Sequence, residues 1–351
     1  MNQLSQETSP YLLQHANNPV HWKAWNSDSL AEAMTQNKLI VISVGYSACH
    51  WCHVMEHESF EDDEVAQTMN THFINIKVDR EEHPNVDAIY MKAVQIMTGR
   101  GGWPLNIVAL PDGRPVWGGT YFRKDEWINT LEQLQNLYQS QPEKMLDYAE
   151  KLHQGIQAIS LVGNKNTESE LSQEILKPLI EKWKKSFDWD FGGMARAPKF
   201  MMPNNYEFLL RYGYQNQDAE VLDFVNLTLT KMAYGGLFDT VGGGFSRYSV
   251  DLKWHIPHFE KMLYDNGQLV SLYSNAYKLT KNPLYKEVIE KTLDFVTSAL
   301  TNSEGGFYCA YDADSLDQNN HLEEGAFYVW TKTELQQIIK EDYDLFCVVF
   351  N

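Results

Sequence analysis

Cys49 and Cys52 stand three apart in the stretch SACHWCHVMEHESF, residues 47–60, with His50 between them and His53 and His57 just beyond. Three readings suit that arrangement. Two thiols at this spacing can exchange with an external disulfide, the first attacking and the second resolving the mixed disulfide. Cysteine and histidine also ligate zinc, and Cys49, His53 and His57 fall at i, i+4 and i+8 of one helical face with Cys52 nearby. Finally, the two thiols can simply be buried and inert. Structural zinc sites draw their ligands from two separated pairs, and no second pair is evident in the sequence. The flanks favour exchange. KLIVISVGYSA (38–48) is a β-rich apolar run that reads as a buried strand, and the residues after Cys49 continue without Gly or Pro and read as a helix. Free N–H groups and the positive end of a helix stabilise a thiolate at Cys49. His50 adds to this when protonated, and Cys52 lies one turn in, placed to resolve.

The elements that must hold this pair follow a simple order. FINIKVD (73–79) reads as a second strand and NVDAIYMKAVQIM as a helix. LNIVAL and PVWGG read as strands joined by the turn PDGR. The order β–α–β–α–β–β predicts a small α/β sheet with crossover helices. Pro104, in GGWPLNIVAL, opens the later strand. Thioredoxin folds carry a cis-proline at that point, facing the cysteine pair, so Trp103 and Pro104 are expected to form the substrate-docking edge. One position departs from the thioredoxin pattern. The buried acid six residues before the first cysteine is here Ser43. His53 or Glu56 are candidate substitutes as proton acceptor, although both read as lying on a solvated helix face, as does ESFEDDEVA as a whole.

From about residue 127 the pattern becomes helical. INTLEQLQNLYQ, PEKMLDYAEKLHQGIQAI and EILKPLIEKWKKSF are amphipathic, and the polar LVGNKNTESE (161–170) reads as a linker or loop. Beyond it, helical segments are broken by DFGGM, GGLFD, GGGF and GGFY, a weak repeat of the kind that builds helical bundles, solenoids or closed toroids. The glycines read as helix C-caps, or as loops of a sugar-binding cleft. A second constellation lies in RYSVDLKWHIPHFEKMLYDN (247–266). Pro257 suits the first turn of a helix that would carry His258, Lys261 and Asp265 on one face and Glu260 and Tyr264 on another. DADS adds Asp312 and Asp314, and HLEEG adds Glu323 and Glu324. Glycoside chemistry needs two carboxylates roughly 5–9.5 Å apart, and epimerisation needs a base beside a carbon acid. The candidate sugar site is Arg247, Trp254, His258, Glu260, Asp265, Asp312, Asp314 and Glu323. The same residues could instead be salt bridges and loop caps, and Arg247, Tyr248, Trp254, Phe259 and Trp330 could form a pocket wall or simply core. Cys309 and Cys347 read as small buried hydrophobes.

Composition narrows the partners. The chain has 351 residues, which suits two or three domains, and a net charge of −18. That balance argues against nucleic acid and against an anionic membrane surface. No signal peptide and no membrane-spanning apolar run is visible. Four cysteines in this length make no disulfide framework, so a reducing, cytoplasmic setting is expected. No cofactor and no metal is read from the sequence.

The motifs SPYLLQHANNPVHW, GYSACHWCHVMEHESFEDDEVA, INIKVDREEHPNVDAIYM, GGWPLNIVALPDGRPVWGGTYF, GGGFSRYSVDLKWHIPHFEKMLYDNGQL, GGFYCAYDADS and EEGAFYVWT together resemble the spermatogenesis-associated protein 20-like family across nearly the whole chain. Departures are small: His21 in place of an acid, His83 in place of an arginine before Pro84, and Arg123 in place of a proline after GTYF. The resemblance implies a thioredoxin-like α/β domain over 1–125. Over 126–351 it implies an all-α partial (α/α) toroid of the six-hairpin glycosidase kind, with the chain ending part-way through the toroid. It implies no particular reaction. The leading expectation is a thiol–disulfide oxidoreductase-type protein acting on a disulfide-bearing protein or small thiol, with Cys49, His50 and Cys52 catalytic. The alternatives are a carbohydrate-active enzyme, epimerase- or hydrolase-like, taking a saccharide in the toroid, and a non-enzymatic binding scaffold.

Overall fold

A computed structural model describes residues 1–160 and 173–349. The polar stretch expected as a linker lies outside the described residues. The chain forms two compact units, Met1–Glu170 and Leu171–Asn351.

The first unit is a thioredoxin-like α/β domain. Its elements are α1 (Pro10–Gln14), β1 (Trp22–Ala24), α2 (Ser27–Gln36), β2 (Leu39–Gly45), α3 (His50–Met55), a π-helical turn (Glu56–Phe60), α4 (Asp63–His72), β3 (Phe73–Asp79), α5 (Pro84–Thr98), β4 (Leu105–Ala109), β5 (Pro115–Gly119), α6 (Lys124–Ser140) and α7 (Pro142–Ser160). The five strands lie in the order β1-β3-β2-β4-β5. β1, β3 and β2 run parallel, while β4 and β5 are antiparallel additions. β2 and β3 are buried along their whole length; β2 is accordingly a nearly continuous apolar run, whereas β3 alternates and buries Asn75, Lys77 and Asp79 as well. Ile40, Ile42, Val44, Ile74, Ile76, Val78, Leu105 and Ile107 form the core beneath α5. The expected single helix after Cys49 is instead two. The chain leaves the π-helical turn at Glu61, and Asp62 restarts it by accepting the N–H groups of Glu64 and Val65.

The expected domain boundary near residue 125 lies later. α6 packs on α4, and α7 packs on α5 and β5, so both helices complete the first unit. Their apolar stripes, including Trp127, Leu131, Met145, Ala149 and Leu152, are buried there.

The second unit is an array of helical hairpins, the architecture of a partial (α/α) toroid. It comprises α8 (Leu176–Lys184), β6 (Lys199–Phe200), α9 (Pro203–Asn216), α10 (Ala219–Tyr234), β7 (Tyr248–Ser249), β8 (Pro257–His258), β9 (Lys261–Met262), α11 (Leu263–Thr280), α12 (Pro283–Ala299), β10 (Ala310–Tyr311), β11 (Asp314–Leu316), β12 (Leu322–Glu324), α13 (Lys332–Ile339) and α14 (Tyr343–Val349). α9 pairs with α10 and α11 with α12. α10 shows why. Val221, Phe224, Val225, Leu229 and Met232 recur at helical spacing, and all are buried in one cluster with Leu209, Leu269 and Tyr273. No described helix is long and apolar enough to cross a membrane.

The Gly-Gly loops are not helix caps alone; three of the four close small hairpins, while Gly235 of GGLFD caps α10. Phe187 bridges Met194, Phe238 bridges Phe245, and Thr301 bridges Phe307. At the head of each, Asp188, Asp239 or Asn302 turns the chain by accepting two backbone N–H groups through one side-chain oxygen. The positive φ of Gly193 and Gly244, 71° and 79°, supplies the return.

Candidate functional site

The cysteine pair sits where β2 hands over to α3. Cys49 is the N-cap residue of α3, and its carbonyl accepts the N–H groups of Cys52 and His53. This first turn brings the two Cα atoms to 5.2 Å, and the two sulfurs are joined as a disulfide. In this form neither sulfur is a thiolate able to ligate a metal. His57, the third member of the expected zinc face, is exposed and paired with Glu61 at 3.0 Å. His50 begins α3 and packs edge-on to Trp51.

Sheet register places the docking edge. β4 runs antiparallel to β2 with Leu105 opposite Val44, so the residue before β4 lies at the same sheet end as the cysteine loop. That residue is Pro104, and its bond to Trp103 is cis, as expected. Trp103 is held firmly. Its indole N–H donates to Asp87 at 2.8 Å, and the Arg80 guanidinium lies 4.0 Å from the ring centroid.

Under the pair lies a buried polar cluster. Lys77 pairs in register with Ser43 across β3 and β2, and its Nζ donates to Ser43 Oγ at 3.2 Å. The rings of Phe60, Trp22 and Tyr11 surround the ammonium at 4.3, 4.8 and 5.3 Å. Burial pushes Lys77 down to about 7 despite attraction from Glu56. Glu56 is buried, not solvated as expected, because the π-helical turn swings it inward. Asn18 Nδ2 donates to its Oε1 at 2.8 Å and His15 Nδ1 lies 3.0 Å away. Burial opposes charge on Glu56, but His15, Asn18 and Lys77 outweigh it and hold the carboxyl down to about 2. His15 itself is pushed down to about 4, chiefly by burial. It is therefore a neutral imidazole whose Nδ1–H faces the carboxylate and Asn18 Oδ1.

In the second unit, residues 257–262 are not helical. The Asp251 carboxylate gathers the N–H groups of Lys253, His255 and Ile256 into a tight loop. Pro257 and His258 then return as β8 against β7. The result brings Arg247, His258 and Glu260 together. His258 Nε2 lies 3.4 Å from Glu260 Oε1, its Nδ1 lies 2.5 Å from Glu324 Oε1, and Tyr248 stacks on its ring at 4.7 Å. Arg247 lies 3.6 Å from the same Glu260 oxygen. Glu324 thus joins the cluster. Glu323 instead stands opposite Ser315 and lines a cavity that Trp330 also borders. Asp265 lies in the first turn of α11. Asp312 and Asp314 line a separate cavity of ≈ 410 Å³ with Tyr308, Tyr311, Phe327 and Tyr328.

Trp254 is not a pocket wall. It is fully buried, donates to the Phe191 carbonyl at 2.8 Å and lies under Lys199. Two neighbouring lysines serve the fold. Lys199 pairs with Asp188 at 2.7 Å and Lys261 with Asp239 at 2.8 Å, both lysines buried, each tying a Gly-Gly hairpin to its surroundings. Cys309 and Cys347 are exposed, not buried as expected.

Residues 1–157 match the family described as Thioredox_DsbH, a protein of unknown function, DUF255. An uncharacterized protein of Caenorhabditis elegans is 43% identical over 96% of this chain and 48% of its own length. Human spermatogenesis-associated protein 20 is 40% identical over 97% of this chain and 45% of its own. The chain therefore spans about half the length of these relatives. The cellobiose 2-epimerase of Bacillus thermoamylovorans aligns with a TM-score of 0.33 at 13% identity, covering 75% of this chain and 78% of its own.

Proposed function

The chain belongs to the spermatogenesis-associated protein 20-like family, and from that membership and the Cys49–Cys52 geometry we propose that its first unit is a thiol–disulfide oxidoreductase module. The observation that carries this reading is a disulfide closed within the first turn of α3, at the sheet end where Trp103 and Pro104 stand. In the closed form an incoming thiolate of a protein or small thiol attacks Cys49 Sγ. The Cys49–Cys52 bond breaks, a mixed disulfide forms, and Cys52 leaves as thiolate. A second substrate thiolate then attacks the substrate sulfur of that mixed disulfide, forming the substrate disulfide and leaving the Cys49 thiolate. Two electrons have passed from substrate to the cysteine pair. The reverse sequence reduces a disulfide. The free N–H groups at the start of α3 favour the Cys49 thiolate.

The test is the alkylation rate of Cys49 against pH in the reduced Cys52→Ser protein. A thiolate forming well below the free-cysteine value of ~8.5 is expected. A thiol that titrates at that value, or fails to alkylate at any pH, overturns the reading.

A second reading has its own support: the aromatic cavity with Asp312 and Asp314, in the same unit as His258, which lies between two carboxylates. Such a cavity suits a saccharide. Saccharide-dependent thermal stabilisation that disappears in Asp312→Asn is expected on this reading, and its absence across neutral and acidic sugars removes it.

A further inference from the structure

We propose that Tyr11, Ser43 and Lys77 form a buried proton relay to Cys52, taking the proton the resolving thiol loses when the disulfide closes and returning it when the disulfide opens. The proposal rests on the thiol–disulfide reading of the first unit and supplies its missing step. A resolving thiol must lose a proton to attack, and a carboxylate that could take it is absent at position 43.

The contacts run in sequence. Lys77 Nζ lies 3.2 Å from Ser43 Oγ. The Ser43 hydroxyl lies near the Tyr11 hydroxyl, which is buried and makes no hydrogen bond among the described residues. The last link is at Gly45. A Cβ there would overlap the Tyr11 hydroxyl and would lie 2.7 Å from Cys52 Sγ, so phenol and sulfur are neighbours across a glycine that leaves them room. The relay thus reaches from the amine of β3 through a hydroxyl of β2 and a phenol of α1 to the sulfur.

Each group has suitable chemistry. Burial raises Tyr11 well above its ordinary range, so its phenol passes a proton without holding a charge. Serine hydroxyls both donate and accept. Lys77 is the only one of the three that stores the proton. The groups facing it are Ser43 from β2, Tyr11 from α1, Trp22 from β1, and Glu56 and Phe60 from the π-helical turn, with His15 neutral nearby. Glu56 is the one ionised carboxylate among them. It keeps the ammonium form within reach, while burial keeps the free amine within reach. On closure, Cys52 S–H gives its proton to the Tyr11 oxygen, Tyr11 to Ser43, and Ser43 to the neutral Lys77 amine. Cys52 then displaces the substrate thiolate from Cys49, and the S–S bond re-forms. Opening runs these transfers backwards.

The test separates the two steps in the full chain, with Cys309→Ser and Cys347→Ser removing the exposed thiols. The reduced protein is mixed with dithiobis(nitrobenzoate). Attack by Cys49 releases one thionitrobenzoate, and attack by Cys52 on the mixed disulfide releases the second. In the parent protein the second release should show an inflection near pH 7. Tyr11→Phe should slow it by at least about 10-fold, a modest share of general acid–base catalysis, and erase the inflection while leaving the first release unchanged. Lys77→Met should erase the inflection too. Ser43→Ala, which removes one oxygen, is the fallback if either larger change unfolds the protein. Identical pH profiles for the second release in all variants overturn the relay and leave the thiol–disulfide reading intact. A Cys49 that releases no thionitrobenzoate overturns both.

Discussion

Glu56 shows how much one side chain can hide in a motif. It stands four residues past Cys52, in a run of acids and histidines that looks solvated, yet it is buried and serves as counter-ion to Lys77 and partner to His15 and Asn18. Its folded pKa of about 2 lies below the ordinary 4.5, so its contribution to stability is full above about pH 4.5 and is lost as pH falls towards 2. The shift corresponds to about 3 kcal/mol. Glu56→Gln is therefore expected to be less stable than the parent by about that amount near neutrality, with the gap narrowing in denaturant melts as pH drops below 4. A gap independent of pH would mean that the carboxylate charge is not what the site uses. Gly45 makes a second prediction at this scale. Gly45→Ala pushes a methyl into Tyr11 and Cys52, so it should destabilise the first unit and slow disulfide closure, read as thermal shift and closure rate. Cys49 and Cys52 were legible because their chemistry depends on local spacing. Tyr11 and Lys77 were not, and Glu56 reads in the sequence as an acceptor on a solvated face, because these groups meet only after β1, β3 and β2 align.

The strands followed the same logic. β2 could be read from its apolar run, β3 from the alternation of Ile74, Ile76 and Val78 with polar residues, and β4 and β5 from the turn between them. β1 could not, since three residues carry no period and exist as a strand only by pairing with β3. The misreading of 257–262 as helix has a local cause. Pro257 suits a first helical turn and nothing after it breaks one, but Asp251 captures the preceding N–H groups and fixes a hairpin instead. Charged residues there divide between two duties. The His258 cluster gathers groups that could act on a ligand, whereas Asp239 and Lys261 anchor a hairpin. Lys261 Nζ is held by Asp239 Oδ2 and the Gly243 carbonyl beneath Phe295. Asp239→Ala strands a buried ammonium and also removes the side chain that turns the loop, so a loss of about 3–5 kcal/mol is expected in equilibrium unfolding. A loss below about 1 kcal/mol would show that Lys261 escapes to solvent.

Two cores of different construction share this chain, one a sheet covered by helices and the other helix on helix. The sequence pattern told them apart because apolar runs of strand length end where amphipathic helices begin. It misplaced the boundary because α6 and α7 are helices too, and only packing assigns them to the sheet. Compact units with their own cores unfold as separate cooperative blocks unless a large apolar interface couples them. The two substitutions above probe this from opposite ends. Glu56 is in the first unit and Asp239 in the second, so in calorimetry of the full chain Glu56→Gln should lower one transition and Asp239→Ala the other. Each should leave the other transition in place, since Glu56 is partnered by His15, Asn18 and Lys77 and Asp239 by Lys261, each set within its own unit. The same pair sorts the functional readings. If the cysteine pair works on its own unit, disulfide exchange should respond to Glu56→Gln and remain at the parent rate in Asp239→Ala at temperatures where both units are folded. Exchange that falls in step with the second unit's transition would instead make the helical array part of the redox machinery.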